Sequence, residues 1–264
     1  MTAFLLTTAV AALAVVLLMA GTVAWSQRTG RVAVVDVTWG LGFVVVALVG
    51  ALMGWALGEG EPARRWLLAG LAGAWGLRLA WHVHRRSRGA GEDPRYAALL
   101  GDGGLPAAIR KVFVPQGLAI WLVSLPLQAG AVLAVEWWPV LWAGVVLWVA
   151  GLAFEAIGDA QLSAYKAQPR ESRPPVMDRG LWGWTRHPNY FGDAVVWWGL
   201  WLVGGLASGW LPGLLTVIAP IAMTHFLRNV TGAKLLEQTM SQRPGWSAYA
   251  ARVPLFVPRP PSRR

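Results

Sequence analysis

Seven stretches of about twenty mostly apolar residues recur along this chain, near 3 to 25, 33 to 57, 66 to 84, 112 to 134, 138 to 160, 190 to 207 and 210 to 228. Each is long enough to cross a hydrocarbon core of ~30 Å as an α-helix. Inside lipid a spanning segment must satisfy its own backbone N–H and C=O groups, so the pattern predicts an all-α, polytopic transmembrane bundle of about seven helices. Composition agrees: 56% of the 264 residues are hydrophobic and 14% charged, with a mean hydropathy of +0.47, far from a soluble domain of this size. Ala3 to Trp25 lacks a basic leader and is too long for a signal-peptide core, so it reads as a retained first helix. No repeat or second domain is visible, and residues 1–264 read as one domain.

The formal charge of +10 is sorted by loop rather than gathered into a nucleic-acid footprint. With the amino terminus outside, 20 of the 23 Lys and Arg residues fall in Arg28 and Arg31, segments 85 to 111 and 166 to 186, and the tail from Arg228. The outer loops keep Arg64 and Arg65, and Arg78 lies within the third span. The carboxyl terminus is therefore expected in the cytoplasm, in a bacterial inner membrane whose anionic headgroups meet part of this charge. The long polar segments fall on that same side and suit a roof over a water-accessible pocket. The chain has no cysteine, which excludes thiolate chemistry, disulfides and cysteine-held metals. Of the four histidines only His82 and His84 are close, and they point to different sides of a helix, so no metal site is expected.

Ionisable groups inside the spans are functional candidates, because an unpaired charge in hydrocarbon is costly. They are Asp36, Arg78, Glu155, Asp159 and Asp193. Asp36, near the start of the second span, also suits a helix amino terminus. Glu155 and Asp159 share a helix face and want a cation, which Lys166, Arg85 and Arg86 could supply; a structural ion-pair cluster is the alternative. The densest constellation is GLWGWTRHPNYFGDAVVWWG, Gly180 to Gly199. Pro188 suits a first helical turn, placing Arg186 and His187 at the mouth of a helix and Asn189, Tyr190 and Asp193 on its first turns. Such a start favours a phosphate or carboxylate, whereas the bland alternative is an interfacial anchor of Trp182, Trp184 and Tyr190. RRSRGAGEDPRY at 85 to 96 adds Glu92, Asp93, Arg95 and Tyr96 to the same side.

GLAFEAIGDAQL at 151 to 162, GLWGWTRHPNYFGD at 180 to 193 and WSAYAARVPLFVP at 246 to 258 resemble the membrane reductases related to steroid 5α-reductase, and more closely their bacterial branch DUF1295. VDVTWGLGF, WGLRLAWHVHRRSRGAGEDPRY and KVFVPQGLAIWLVSLPL extend the likeness along most of the chain. The resemblance implies a seven-helix bundle that holds NADPH in a pocket open to the cytoplasm and passes hydride to an activated C=C bond of a lipophilic substrate, a sterol, polyprenoid or fatty enone. It implies cofactor-binding roles for Asp159, Lys166, Asn189 and Asp193, with Arg186 and His187 beside them. Arg85, Arg86, Tyr190, Arg228 and Tyr249 complete the expected cofactor set. The steroid enzymes polarise the ketone with a Glu on span two and a Tyr on span three. Here Asp36 stands on span two and His82 on span three, with Tyr96 beyond it, so these three are the catalytic candidates. The histidine pair near the end of span seven in those enzymes is replaced by Thr231 to Lys234. Isoprenylcysteine carboxyl methyltransferases and phospholipid methyltransferases share a similar RHPxYxG and Tyr and Pro-rich ending. They imply the alternative, an S-adenosylmethionine site lined by His187, Tyr190 and Glu237. No nucleic acid and no obligate protein partner are implied.

Overall fold

The computed structural model describes residues 1–260 and is helical, with no strand among them. Of the basic tail residues, Arg263 and Arg264 lie outside the described residues. Among the described residues six helical segments are long and apolar enough to cross a membrane, which makes this a multi-pass membrane protein. They are Thr2–Thr29, Val32–Ala56, Gly104–Val132, Trp138–Ala167, Pro188–Ser208 and Trp210–Met240. The expected third span also exists as a helix, Pro62–Ser87, 26 residues long. At 1.5 Å per residue it has the reach to cross, but five arginines leave it too polar to rank with the six.

The chain divides into two compact units, Met1–Leu141 with Leu200–Ala219, and Trp142–Gly199 with Pro220–Arg264. The first unit contains α1 (Thr2–Thr29), α2 (Val35–Ala56), α3 (Pro62–Ser87), α4 (Pro94–Leu100), α5 (Gly104–Ala108), α6 (Val114–Val123) and α7 (Leu125–Val132). Gly30 ends α1 in the left-handed region, φ 67°, and returns its N–H to the last turn. α2 lies against α3 through small residues: a Cβ on Gly40 would stand 2.5 Å from the Gly76 carbonyl oxygen, so only hydrogen permits this approach. The expected fourth span is broken. Pro115 and Pro126 cannot donate to the turn before them; a π turn at Ile109–Phe113 and a break at Ser124 accommodate this.

Arg64 and Arg65 are not in an outer loop, as the sequence suggested, but in the first turns of α3, and both are buried. Arg64, 1% exposed, donates to Ser208 Oγ at 2.7 Å and to the Leu133 and Ala134 carbonyls at the end of α7. Helix ends leave carbonyls without partners, and a guanidinium can satisfy several of them at once.

In the second unit, the portion of α8 (Trp138–Ala167) from Trp142 on lies against the portion of α9 (Pro188–Gly204) up to Gly199. Gly151 and Gly158 on one helix, and Gly192 and Gly199 on the other, each recur after seven residues. A Cβ on Gly192 would stand 2.5 Å from the Glu155 backbone N, and one on Gly151 2.7 Å from that of Val196. Two turns apart, these glycines form a seam along which the backbones nearly touch. α10 (Trp210–Thr216), which belongs to the first unit, ends before α11 (Ile218–His225), where Pro220 withdraws the donor that Thr216 would receive. Two short helices follow, α12 (Ala233–Met240) and α13 (Trp246–Arg252).

Candidate functional site

In the first unit the segment after α3 folds onto the start of α2. Asp93 caps α4 by accepting from Arg95 N at 2.9 Å, and Pro94 fills the first helical position. Glu92 accepts from the backbone N–H groups of Val32 and Ala33, the latter at 3.0 Å, where the turn leading into α2 leaves donors open. This anchorage brings together two expected catalytic residues sixty positions apart: Tyr96 donates its hydroxyl proton to Asp36 Oδ1. Arg95 Nη2 bonds the other carboxylate oxygen at 3.0 Å, and Gln116 Nε2 on α6 donates to Tyr96 Oη at 3.2 Å. Burial, reinforced by the Asp36 carboxylate, pushes the Tyr96 phenol well above its ordinary value, so it stays a proton donor throughout the physiological range. The hydrogen bond from the Arg95 side chain holds Asp93 below its usual carboxylate value.

His82 lies half-buried on α3. Arg85 and Arg86 are exposed near the carboxyl end of that helix, with the Arg85 guanidinium 6.0 Å from the Trp81 ring centre. Gln116 was not legible in the sequence. An amide in an apolar run is the one signal that could have marked it, and nothing local says that it reaches α4.

In the second unit the glycine seam sets the polar residues. Gly158 lies against Asn189 N, and Gly192 against Glu155. Glu155 and Asp193 are therefore buried, 3% and 6% exposed, and Asn189 Nδ2 donates to Asp159 Oδ1 at 3.1 Å. Carboxylates and a carboxamide gathered here suit the hydroxyls of a ribose or an amide, not a phosphate. Of the expected cofactor cations, Lys166 lies near the end of α8 and Arg228 in the π turn after α11, both exposed.

Arg186 is engaged by groups of the protein itself. Nε and Nη2 grip the two oxygens of Glu237 at 2.6 and 3.1 Å, while Nη1 donates to the Ala250 and Val253 carbonyls at 2.9 and 3.0 Å. Its backbone N–H reaches the Pro254 carbonyl, and the N–H of Arg259 returns to Trp184 O at 2.9 Å. Tyr249, 2% exposed, donates to Trp182 O at 2.7 Å; burial raises its phenol pKa. The chain from 246 to 259 is thereby strapped across residues 182 to 186. Buried His187 sits 3.2 Å from Glu237 Oε1 through Nε2 and stacks on Tyr190, ring centres 5.7 Å apart. Glu237 is thus the hub of this cluster.

Among the described residues no group of three or more His, Asp or Glu could hold a metal ion. No curated protein and no solved structure matches the chain. The family described as Protein of unknown function (DUF1295) matches residues 22–253.

Proposed function

Because the chain belongs to the DUF1295 family, whose members are described as of unknown function, we propose from its own residues that it is an integral-membrane reductase. It would use NADPH to reduce an activated C=C bond of a lipophilic substrate, with its amino terminus outside and its roof in the cytoplasm. The observation that carries this reading is the Tyr96–Asp36 hydrogen bond, with Gln116 donating to the same phenol oxygen. A phenol that keeps its proton can polarise a conjugated ketone by donating to its oxygen, and here α4 contributes the phenol.

The residues of the second unit fit the cofactor by donor chemistry. Asp159, Asn189 and Asp193 suit ribose hydroxyls or the nicotinamide carboxamide. Lys166 and Arg228 are of the right charge for the cofactor's phosphates. NADPH supplies a hydride when bound. The chain's part is to hold the acceptor and stabilise the charge that grows on its carbonyl oxygen. When the substrate is bound, its carbonyl oxygen takes the place of Asp36 as acceptor of the Tyr96 hydroxyl proton, Arg95 keeps the Asp36 carboxylate paired, and Gln116 holds the phenol oxygen in place. Solvent supplies the proton that completes the reduction at the carbon next to the carbonyl.

A second reading draws on the cluster of His187, Tyr190 and Glu237, the residues that would line an S-adenosylmethionine site. One experiment separates the two: thermal melting of the purified protein with NADPH, NADH or S-adenosylmethionine, since a ligand that binds only the folded state raises the transition by mass action. The largest shift is expected with NADPH. A larger shift with S-adenosylmethionine reverses the assignment.

A further inference from the structure

The first unit also carries a groove that the proposed reaction does not use. It has a volume of about 660 Å³ and runs between α1 and the helical run through α6, walled by Val15, Val16, Met19, Phe113, Leu118 and Trp121. Trp121 Nε1 bonds the Thr8 carbonyl at 3.1 Å at one end, and Val23 and Ile109 line the other, so the two helices run antiparallel beside it. From Ile109 to Trp121 is about 18 Å along a helix axis, a little over half of a ~30 Å hydrocarbon core and hence the depth of one leaflet.

The ends of this groove differ in charge. Arg110 is the neighbour of Ile109, which lines one end, and stands four residues before Val114 and seven before Gly117. Gln27 and Arg28 end α1 at the same level, and all three are exposed. Arg28 and Arg110 meet no carboxylate among the described residues. An apolar channel one leaflet deep, with an unneutralised guanidinium at its mouth, has the length and charge of a single lipid molecule.

We propose that this groove is a specific site for one anionic phospholipid, its phosphate on Arg110 with Gln27 and Arg28 at the rim and an acyl chain lying along α1. A basic side chain at the membrane surface favours an anionic over a zwitterionic headgroup by about fivefold.

The test is native mass spectrometry of the full chain in mild detergent, given phosphatidylglycerol and phosphatidylcholine of equal chain length in equal amounts. Wild type should retain one phosphatidylglycerol per chain, preferred about fivefold or more over phosphatidylcholine. Arg110→Gln should bring the two lipids to near-equal retention, and Val16→Trp, which fills the groove from an exposed position, should lower retention of both. Equal retention of the two lipids by wild type would overturn the proposal. So would a preference that survives Arg110→Gln, or a non-covalent dimer in place of the lipid adduct, which would mean that a second copy covers the groove.

Discussion

Replacing Arg186 by Met keeps most of the side-chain length and removes four hydrogen bonds that tie the residues before α9 to α12 and to the chain after 246. Two go to the Glu237 carboxylate and two to the Ala250 and Val253 carbonyls. The pair is largely buried, the two side chains 12% and 19% exposed. Breaking the pair leaves Glu237 with only His187 beside it, at about 3–5 kcal/mol. The strap itself loses two bonds donated by a charged group, worth about 1.5–3 kcal/mol each. The loss is expected to be local, because the strap from 246 to 259 is a short surface segment whose docking depends on these bonds. At 1.4 kcal/mol per tenfold, the opening equilibrium should rise by about a hundredfold or more. Amide hydrogen exchange reads this directly at two sites, the Arg186 N–H bonded to Pro254 O and the Arg259 N–H bonded to Trp184 O. Arg186→Lys should recover only part of the protection, because an ammonium cannot grip a carboxylate and two carbonyls with a planar fork. Unchanged exchange at both amides in Arg186→Met would refute the reasoning. If that variant instead lost NADPH stabilisation with the strap still protected, Arg186 would be a cofactor ligand.

Asp193→Asn keeps shape and removes charge in the seam between α8 and α9; it should weaken the NADPH-induced melting shift and leave the ligand-free transition in place, and the reverse outcome would make Asp193 structural. Tyr96→Phe removes a buried phenol's hydrogen bond to Asp36 and should lower stability by about 1 kcal/mol in a melt while abolishing reduction of an enone substrate. Asp93, held below its ordinary value of 3.8, stabilises the capped start of α4 above that pH and loses this contribution as pH falls through its folded value. Proteolysis of the segment from 88 to 100 should therefore be flat from neutral pH down to about 3.8 and rise as the pH falls further through the lowered folded value. A topology reporter at the carboxyl terminus should read as cytoplasmic and one inserted near Gly60 as external; the opposite result at either place breaks the proposed orientation.

The sequence by itself determined the class of the molecule. Apolar length and the need to satisfy the backbone in lipid leave only helices, and the helices fall where the runs of Leu, Val, Ala and Trp predicted them. It also placed Asn189 beside Asp193 and Glu155 beside Asp159, because a four-residue spacing on one helix is local geometry. Tertiary structure decided what a linear reading cannot: which residues from different helices meet. Tyr96 looked displaced from the third span, yet an acid–amide anchor at Glu92 and the cap at Asp93 carry it to Asp36, sixty residues away. Arg186 suited a phosphate or a carboxylate by charge alone; that the carboxylate of Glu237 and two carbonyls from a distant strap engage its guanidinium is decided by the fold. Arg64 looked like a loop residue by polarity and is buried, because the helix-end carbonyls of α7 replace water around it. In each case the sequence shows how much a charge would cost in an apolar medium, while the long-range partner that offsets this cost exists only once the helices have come together.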